Sequence, residues 1–365
     1  MAKSRGKVAV VTRHDAGIIS TATPWSWCTT VIGVVLGAVC AVGLTVPVVL
    51  LMATQTIFDT LFWLSGKTTD SMPAIASDDQ VVLVLPGTCS YAFWQFGMLQ
   101  YICEHYDTRG ARLVGVSSGA IGAALVLLME QAAEKAKSPA DVVKRVRARA
   151  QELFSRGEQE LAAVCTWPLG FFGRLGEVLD SIVEQVVTLD DFDGSRLHIG
   201  VRRLALGPLP SFVPDRLSNF RSAAELKAAV RASSVVWFVV RIVPALYLPQ
   251  LAAFCADGVN AFTWFLLIEY VAQRRLGLTR RTIPEHTHSG GLDMIYPLWN
   301  CGVMRSLLPA GGRHVWVSPT VGGRLQVRHL LHFSAWFAGE QWRQGYAHAA
   351  QLDSEGYWSA LNRRV

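Results

Sequence analysis

Short, mostly apolar runs alternate with longer stretches of helical periodicity between residues 80 and 318. The runs at 80–86, 113–114 and 315–318 consist mainly of Val and Leu, which is typical of strands buried on both faces of a parallel sheet. Residues 197–204 alternate between apolar and polar, as a strand does. Strands alternating with helices predict a layered α/β fold with a mostly parallel central sheet.

Four stretches between these runs have the composition of helices. Residues 92–104 and 120–137 are rich in apolar residues and alanine, whereas 141–155 is basic and amphipathic. A capping box at Ser222 and Glu225 opens a helix predicted to run through Ala232, because the hydroxyl and the carboxylate can each accept from the other residue's amide.

The N-terminal region has the pattern of a membrane segment. No charged residue occurs from Ala16 to Phe58, and 28–52 is almost entirely apolar. At about 1.5 Å per residue this stretch can cross a bilayer core of about 30 Å, and it is longer than the apolar core of a signal peptide. We therefore expect an N-terminal transmembrane helix at about 28–52 and a membrane localisation.

Basic residues precede this segment and favour a cytoplasmic N-terminus, namely Lys3, Arg5, Lys7 and Arg13. Gly43 and Pro47 leave open a hairpin that returns to the same side. The polar stretch 67–79 reads as a linker that follows the tail and membrane segment, 1–66. The folded domain is predicted over 80–350, followed by a C-terminal tail, 351–365.

Composition narrows the classes of partner. Only 17% of the 365 residues are charged, against about 25% in typical soluble domains, which agrees with contact between the chain and lipid. The net charge is +6, but the basic residues form no nucleic-acid-binding motif, so we expect no nucleic-acid partner. Seven scattered cysteines show neither metal-ligand spacing nor a disulfide framework, and we predict free thiols, no metal and no cofactor.

A candidate nucleophile lies where a predicted strand meets a predicted helix. Gly115, Val116, Ser117, Ser118 and Gly119 form a Gly-x-Ser-x-Gly sequence at this junction. A tight turn there exposes the serine hydroxyl, and flanking glycines avoid a collision of Cβ atoms across the turn. The N-terminus of the following helix presents amides to a developing oxyanion. A small-residue turn that merely packs is the alternative.

A second turn, Gly87 to Ser90, follows the first strand, and its amides can bind an oxyanion if they converge on Ser117.

A nucleophilic serine also requires a base that accepts its proton. Asp257 is a lone acid in an apolar stretch, where a charge is costly unless it has a function or caps a turn. Asp293 is the competing acid.

Several segments resemble the patatin-like phospholipase family, and more closely its triglyceride-lipase branch. The segments that carry this resemblance are 86–99, the Gly-x-Ser-x-Gly sequence, 197–204, 217–234, 290–299, 315–319 and 342–346. The resemblance covers about 80–350. It implies a three-layer α/β/α fold in which a Ser–Asp dyad cleaves the acyl esters of membrane or neutral lipids.

The resemblance also implies site residues. Ser117 is the expected nucleophile, and Gly87, Thr88 and Cys89 are the expected oxyanion loop. The chain departs from the family pattern in that loop, where Thr88, Cys89 and Ala92 replace glycines and Tyr91 replaces a basic residue.

A third departure concerns the acid. The segment similar to the family's Asp-Gly-Gly sequence has Ser289 at the position of the aspartate, so the acid must be Asp257 or Asp293. Asp257 is the favoured acid because it is followed by glycine and lies at about the family's spacing from 232–234. If neither acid reaches Ser117, the protein is a catalytically silent membrane or lipid-droplet binding protein.

A third interpretation is a Ser–Asp–His hydrolase. The chain order Ser117, Asp257 and then His286 or His288 permits such a triad. The sequence does not distinguish a phospholipase from a triacylglycerol lipase.

Overall fold

A computed structural model describes residues 80–165, 175–189, 192–205, 211–235, 245–257, 308, 313–319, 321 and 334–364. The predicted membrane segment, 28–52, and the predicted linker, 67–79, lie outside these residues. Among the helices that are described, none combines the length and the apolar character needed to cross a membrane.

Each strand and helix that the sequence predicts among the described residues is present, and these residues contain further elements that the pattern did not predict. The strands of the described residues are β1 (Val81–Leu85), β2 (Tyr106–Asp107), β3 (Arg112–Val116), β4 (Leu197–Ala205), β5 (Ser211–Ser218), β6 (Leu246–Leu248), β7 (Ala253–Asp257), β8 (Arg313–Trp316) and β9 (Asn362–Arg363). The helices are α1 (Ala92–His105), α2 (Ser118–Glu134), α3 (Pro139–Cys165), α4 (Leu175–Val183), α5 (Ala223–Ser233) and α6 (Ala335–Ser354). The predicted basic helix is longer than expected, since α3 continues ten residues beyond 155.

The strands assemble into a mixed central sheet flanked by helices. Strands β8, β1, β3 and β4 are adjacent in that order and parallel to one another. Strands β5 and β7 pair with β4 in the antiparallel direction, and β6 pairs with β7. The predicted α/β class is confirmed, with four parallel strands on one side of the sheet and an antiparallel group on the other.

One strand, β4, has three partners. β5 pairs with β4 along one edge, from His198 to Ala205. β3 pairs with β4 as far as Gly200, and β7 pairs with it from Val201 onward. Because β5 already occupies one edge over this whole length, β3 and β7 must share the opposite edge. The two strands therefore meet end to end beside the middle of β4.

Both faces of the sheet are buried. Leu83, Leu85 and Leu113 point toward the face on which α1 and α2 pack. Val84 and Val114, which are 0% exposed, belong to a separate cluster on the other face. Burial on both faces is the reason that these strands read as continuous apolar runs.

Helices α1 and α6 cross at two glycines. A Cβ atom built on Gly97 would lie 2.1 Å from the carbonyl oxygen of Trp342, and one built on Gly345 would lie 1.9 Å from that of Trp94. No other residue permits this backbone contact. The crossing fixes α1, and with it the loop that precedes α1, against the C-terminal helix.

The capping box is confirmed in part. The Ser222 hydroxyl accepts from the Glu225 amide at 3.2 Å, as expected. The Glu225 carboxylate accepts from the amide of Arg221 at 2.8 Å, one residue before the cap, rather than from Ser222.

The C-terminal boundary predicted at 350 is wrong. Residue 350 lies inside α6, which ends at Ser354, and the following turn buries Trp358 completely. The Trp358 indole donates to the carbonyl of Ala349 at 2.9 Å, and β9 pairs with β2. The stretch taken for a tail is part of the domain because it covers apolar surface that α6 alone leaves open.

Candidate active site

Ser117 occupies a strained turn between a strand and a helix. It follows the last residue of β3 and directly precedes α2, with φ 57° and ψ −126°. A positive φ is uncommon for a residue other than glycine, and it persists only where the surrounding structure enforces it. Ser117 therefore occupies a strained strand-to-helix turn at the position of the predicted elbow.

The two glycines of the elbow are required by close contacts. A Cβ atom on Gly115 would lie 2.4 Å from the carbonyl oxygen of Gly119, across the turn. A Cβ atom on Gly119 would lie 1.8 Å from the carbonyl oxygen of Leu85, at the end of β1. The first contact is the collision that the sequence predicts. The second contact shows that the start of α2 lies directly against the end of β1.

Two serines at the end of α5 hold the main chain of Ser117. The Ser117 amide donates to the Ser233 hydroxyl at 2.9 Å, and that hydroxyl donates to the Gly200 carbonyl at 2.6 Å. The single hydroxyl proton of Ser234 is shared between the Val230 carbonyl, at 2.9 Å, and the Ser117 carbonyl, at 3.2 Å. In the sequence analysis these serines appear only as the end of the segment 217–234, with no role assigned to them.

Asp257 is the last residue of β7 and is completely buried. It lies opposite Val201 of β4, whereas Val116, which precedes Ser117, lies opposite Gly200. Consecutive positions along a strand are separated by about 3.3 Å. Because β3 and β7 share this edge of β4, the fold brings Asp257 and the elbow together.

The hydroxyl of Ser117 makes no hydrogen bond with any residue of the described part of the chain, Asp257 included. Hydrogen bonds between catalytic groups are often long without substrate and shorten in the reactive complex. The candidate nucleophile and the candidate acid therefore lie on neighbouring levels of the sheet without a hydrogen bond between them.

The predicted oxyanion loop contacts the elbow. The Thr88 amide donates to the Ser118 hydroxyl at 2.8 Å, and the two side-chain hydroxyls lie 3.0 Å apart. Cys89 has φ 51° and opens a 3₁₀ turn that runs to Tyr91. The loop thus lies beside the elbow as predicted, but the amide of Thr88 is already engaged.

The start of α2 supplies further donors. The amides of Ser118 and Gly119 belong to the first turn, where backbone N–H groups have no acceptor within the helix. No acidic residue occupies this turn, so nothing there opposes the partial positive charge of the helix N-terminus. An anion that develops near Ser117 would be stabilised at this position.

Gln95 was not predicted as a site residue. It is completely buried in α1, and its amide donates to the carbonyls of Pro86 at 3.2 Å and of Val317 at 2.8 Å. These bonds tie the loop before Gly87 to the end of the neighbouring strand. The signal was a glutamine within the apolar first half of α1, where a buried polar side chain needs partners.

Tyr91, in the loop that follows β1, is buried among aromatic rings. Its ring centroid lies 6.0 Å from that of Trp94 and 6.5 Å from that of Phe337. It therefore contributes packing rather than charge to the loop.

Several predicted residues fall outside the described part of the chain, namely Asp293, Ser289, His286 and His288. The cysteines whose side chains are described, Cys89, Cys103 and Cys255, form no disulfide bond. Within the described ranges, no group of three or more His, Cys, Asp or Glu side chains is placed to hold a metal ion.

The comparison with known proteins adds no name to this geometry. No model of a protein family matches the chain, and a search of curated proteins finds no match.

Proposed function

We propose that this protein is a membrane-associated serine acyl hydrolase with a patatin-like α/β/α fold. Ser117 is the nucleophile and Asp257 is the base. The observation that carries the proposal is the strained elbow at Ser117, which lies one level of the sheet away from a completely buried aspartate. Strain and a buried acid are both costly, and they coincide most often at functional sites.

The reaction has two steps. The Asp257 carboxylate accepts the Ser117 hydroxyl proton while Oγ attacks the ester carbonyl carbon, and the carbonyl oxygen becomes an oxyanion. Amides at the start of α2 stabilise this oxyanion. Its collapse expels the alcohol, which takes the proton from Asp257. Asp257 then deprotonates a water molecule that attacks the acyl-enzyme carbonyl carbon. When this second tetrahedral intermediate collapses, the Ser117 oxygen leaves and takes the proton from Asp257, and the fatty acid is released.

The lipid substrate class is supported by the sequence. The predicted membrane segment at 28–52 would keep the domain close to acyl esters that are scarce in water. The expected substrates are therefore membrane glycerolipids or neutral lipids, with phospholipase and triacylglycerol lipase activity both compatible with the site.

A fluorophosphonate probe tests the proposal. The full-length protein in lipid vesicles should react with the probe, and labelling should disappear in Ser117→Ala. Ser181→Ala is a matched control, because it removes a hydroxyl that bonds only the Val178 carbonyl in α4. Labelling that persists in Ser117→Ala would refute the assignment of the nucleophile. Loss of activity in His286→Ala or His288→Ala would favour the triad.

A catalytically silent lipid-binding protein is the second candidate. The observation that favours it is the bond from the Thr88 amide to Ser118, which occupies a donor that the oxyanion loop would need. In this case the wild-type protein binds lipid vesicles but gives no labelling, and Ser117→Ala binds vesicles equally well.

A further inference from the structure

The peptide groups on both sides of Ser117 Cα are held by consecutive serines of another element. Ser233, at the end of α5, accepts from the Ser117 amide and donates to Gly200, so both the lone pair and the proton of its hydroxyl are used. Ser234 donates to the Ser117 carbonyl. Ser233 is completely buried and Ser234 is buried, so water does not replace these bonds.

The same short segment also contacts the candidate acid. The residue after Ser234 is Val235, whose carbonyl accepts from the Asp257 amide at 3.2 Å. Residues 233–235 therefore bond to the main chain of both Ser117 and Asp257.

The conformation of Ser117 requires such support. A residue with φ 57° returns to a more favourable conformation unless its neighbours hold it there. The glycines at 115 and 119 only permit the turn, because they remove collisions. The two serines act differently, since each makes a directional bond to one of the polar atoms that a rotation of the peptide groups would move.

We infer that Ser233 and Ser234 are positioning residues that set the orientation of the Ser117 hydroxyl relative to Asp257. The effect on catalysis rests on the proposed function, whereas the support of the Ser117 main chain by the two serines does not. Removing either hydroxyl should let the elbow relax and should move the nucleophile while substrate binding is retained.

The first experiment compares Ser233→Ala and Ser234→Ala with the wild type and with the Ser181→Ala control. A displacement of about 1 Å can reduce reaction rates by about 100-fold, so we expect the Ser233→Ala labelling rate to fall by about 10–100-fold. With an ester substrate, kcat should fall while KM stays nearly constant, because the lost interaction aligns the reacting groups. Ser181→Ala should match the wild type.

A second readout does not depend on hydrolysis. Ser117→Cys introduces a thiol at the elbow, and the pH dependence of its alkylation by iodoacetamide reports its orientation at the N-terminus of α2. Adding Ser233→Ala should slow this alkylation and shift its pH profile, whereas adding Ser181→Ala should not. If Ser233→Ala does not fold, Ser234→Ala carries the same test, since it leaves the Ser233 bonds in place.

The outcomes separate the two proposals. Absence of wild-type labelling, together with slowed alkylation in the Ser233→Ala background, would refute the hydrolase and support the positioning role. The positioning role would be overturned if the folded Ser233→Ala and Ser234→Ala variants were labelled at rates within twofold of the wild type, and if adding either substitution to Ser117→Cys changed its alkylation rate by less than twofold.

Discussion

Val116 and Asp257 lie on the same edge of β4, opposite the consecutive residues Gly200 and Val201. The first belongs to a strand that runs parallel to β4, and the second to a strand that runs antiparallel to it. Their ends meet where β3 turns into the elbow. An acid far along the chain is thereby placed beside Ser117 by strand pairing, which the local sequence around Asp257 does not specify.

The role of Asp257 predicts a loss of activity upon neutralisation. Asp257→Asn keeps the shape of the side chain but cannot accept the proton of Ser117, so we expect esterase activity to fall by about 10²–10⁴-fold. Asp215→Asn is the control, because Asp215 forms an ion pair with Arg203 at 2.9 Å on the neighbouring strand. Activity should be measured with a vesicle-bound ester. Equal effects of the two substitutions would argue against a catalytic Asp257.

The contact between Gly119 and Leu85 predicts an effect on stability. Gly119→Ala places a methyl group 1.8 Å from a backbone carbonyl, so α2 must move away from β1. We expect a loss of about 1–3 kcal/mol in the free energy of unfolding, measured with urea. Gly110→Ala, where no heavy atom lies within 4 Å, should change it by less than about 0.5 kcal/mol. A Gly119→Ala variant as stable as Gly110→Ala would contradict this packing.

The C-terminal segment predicts a contrast between two tryptophans. Trp358→Ala removes a side chain that is 0% exposed and should destabilise the protein by about 3–5 kcal/mol. Trp336→Ala removes one that is 72% exposed and should have little effect. Thermal unfolding of both variants measures the difference. Similar midpoints would mean that the chain beyond 350 is dispensable, as the sequence first suggested.

A buried histidine predicts a pH dependence of stability. Burial, and then the charges of Arg216 and Arg112, lower the pKa of His198 to about 4. The folded state thus keeps His198 neutral while the unfolded chain, with a pKa of about 6.5, takes up a proton. Its contribution is therefore complete above pH 6.5 and is lost as the pH falls toward 4, by about 3 kcal/mol in total.

His198→Leu tests this linkage. Among the described residues neither ring nitrogen has a hydrogen-bond partner, so the substitution should cost little at pH 7. Urea unfolding between pH 4 and 7 should show a shallower loss of stability at low pH in the variant than in the wild type. Parallel pH profiles of the two proteins would show that His198 does not titrate in this way.

The sequence determined the features that depend on neighbouring residues. The apolar run of β1, the elbow at Ser117 and the need for glycine at 115 each follow from contacts or periodicity within a few positions. The hydrophobic pattern reports how deeply a segment is buried, and it gave the α/β class for the same reason.

Only the tertiary structure decided which distant segments meet. Patterning marks β7 as buried but does not reveal that it shares an edge of β4 with β3, which is what brings Asp257 to Ser117. The bonds from Ser233 and the burial of Trp358 likewise join residues far apart in the chain. Strand pairing and side-chain packing are settled by the folded chain as a whole, because each local pattern is compatible with several partners.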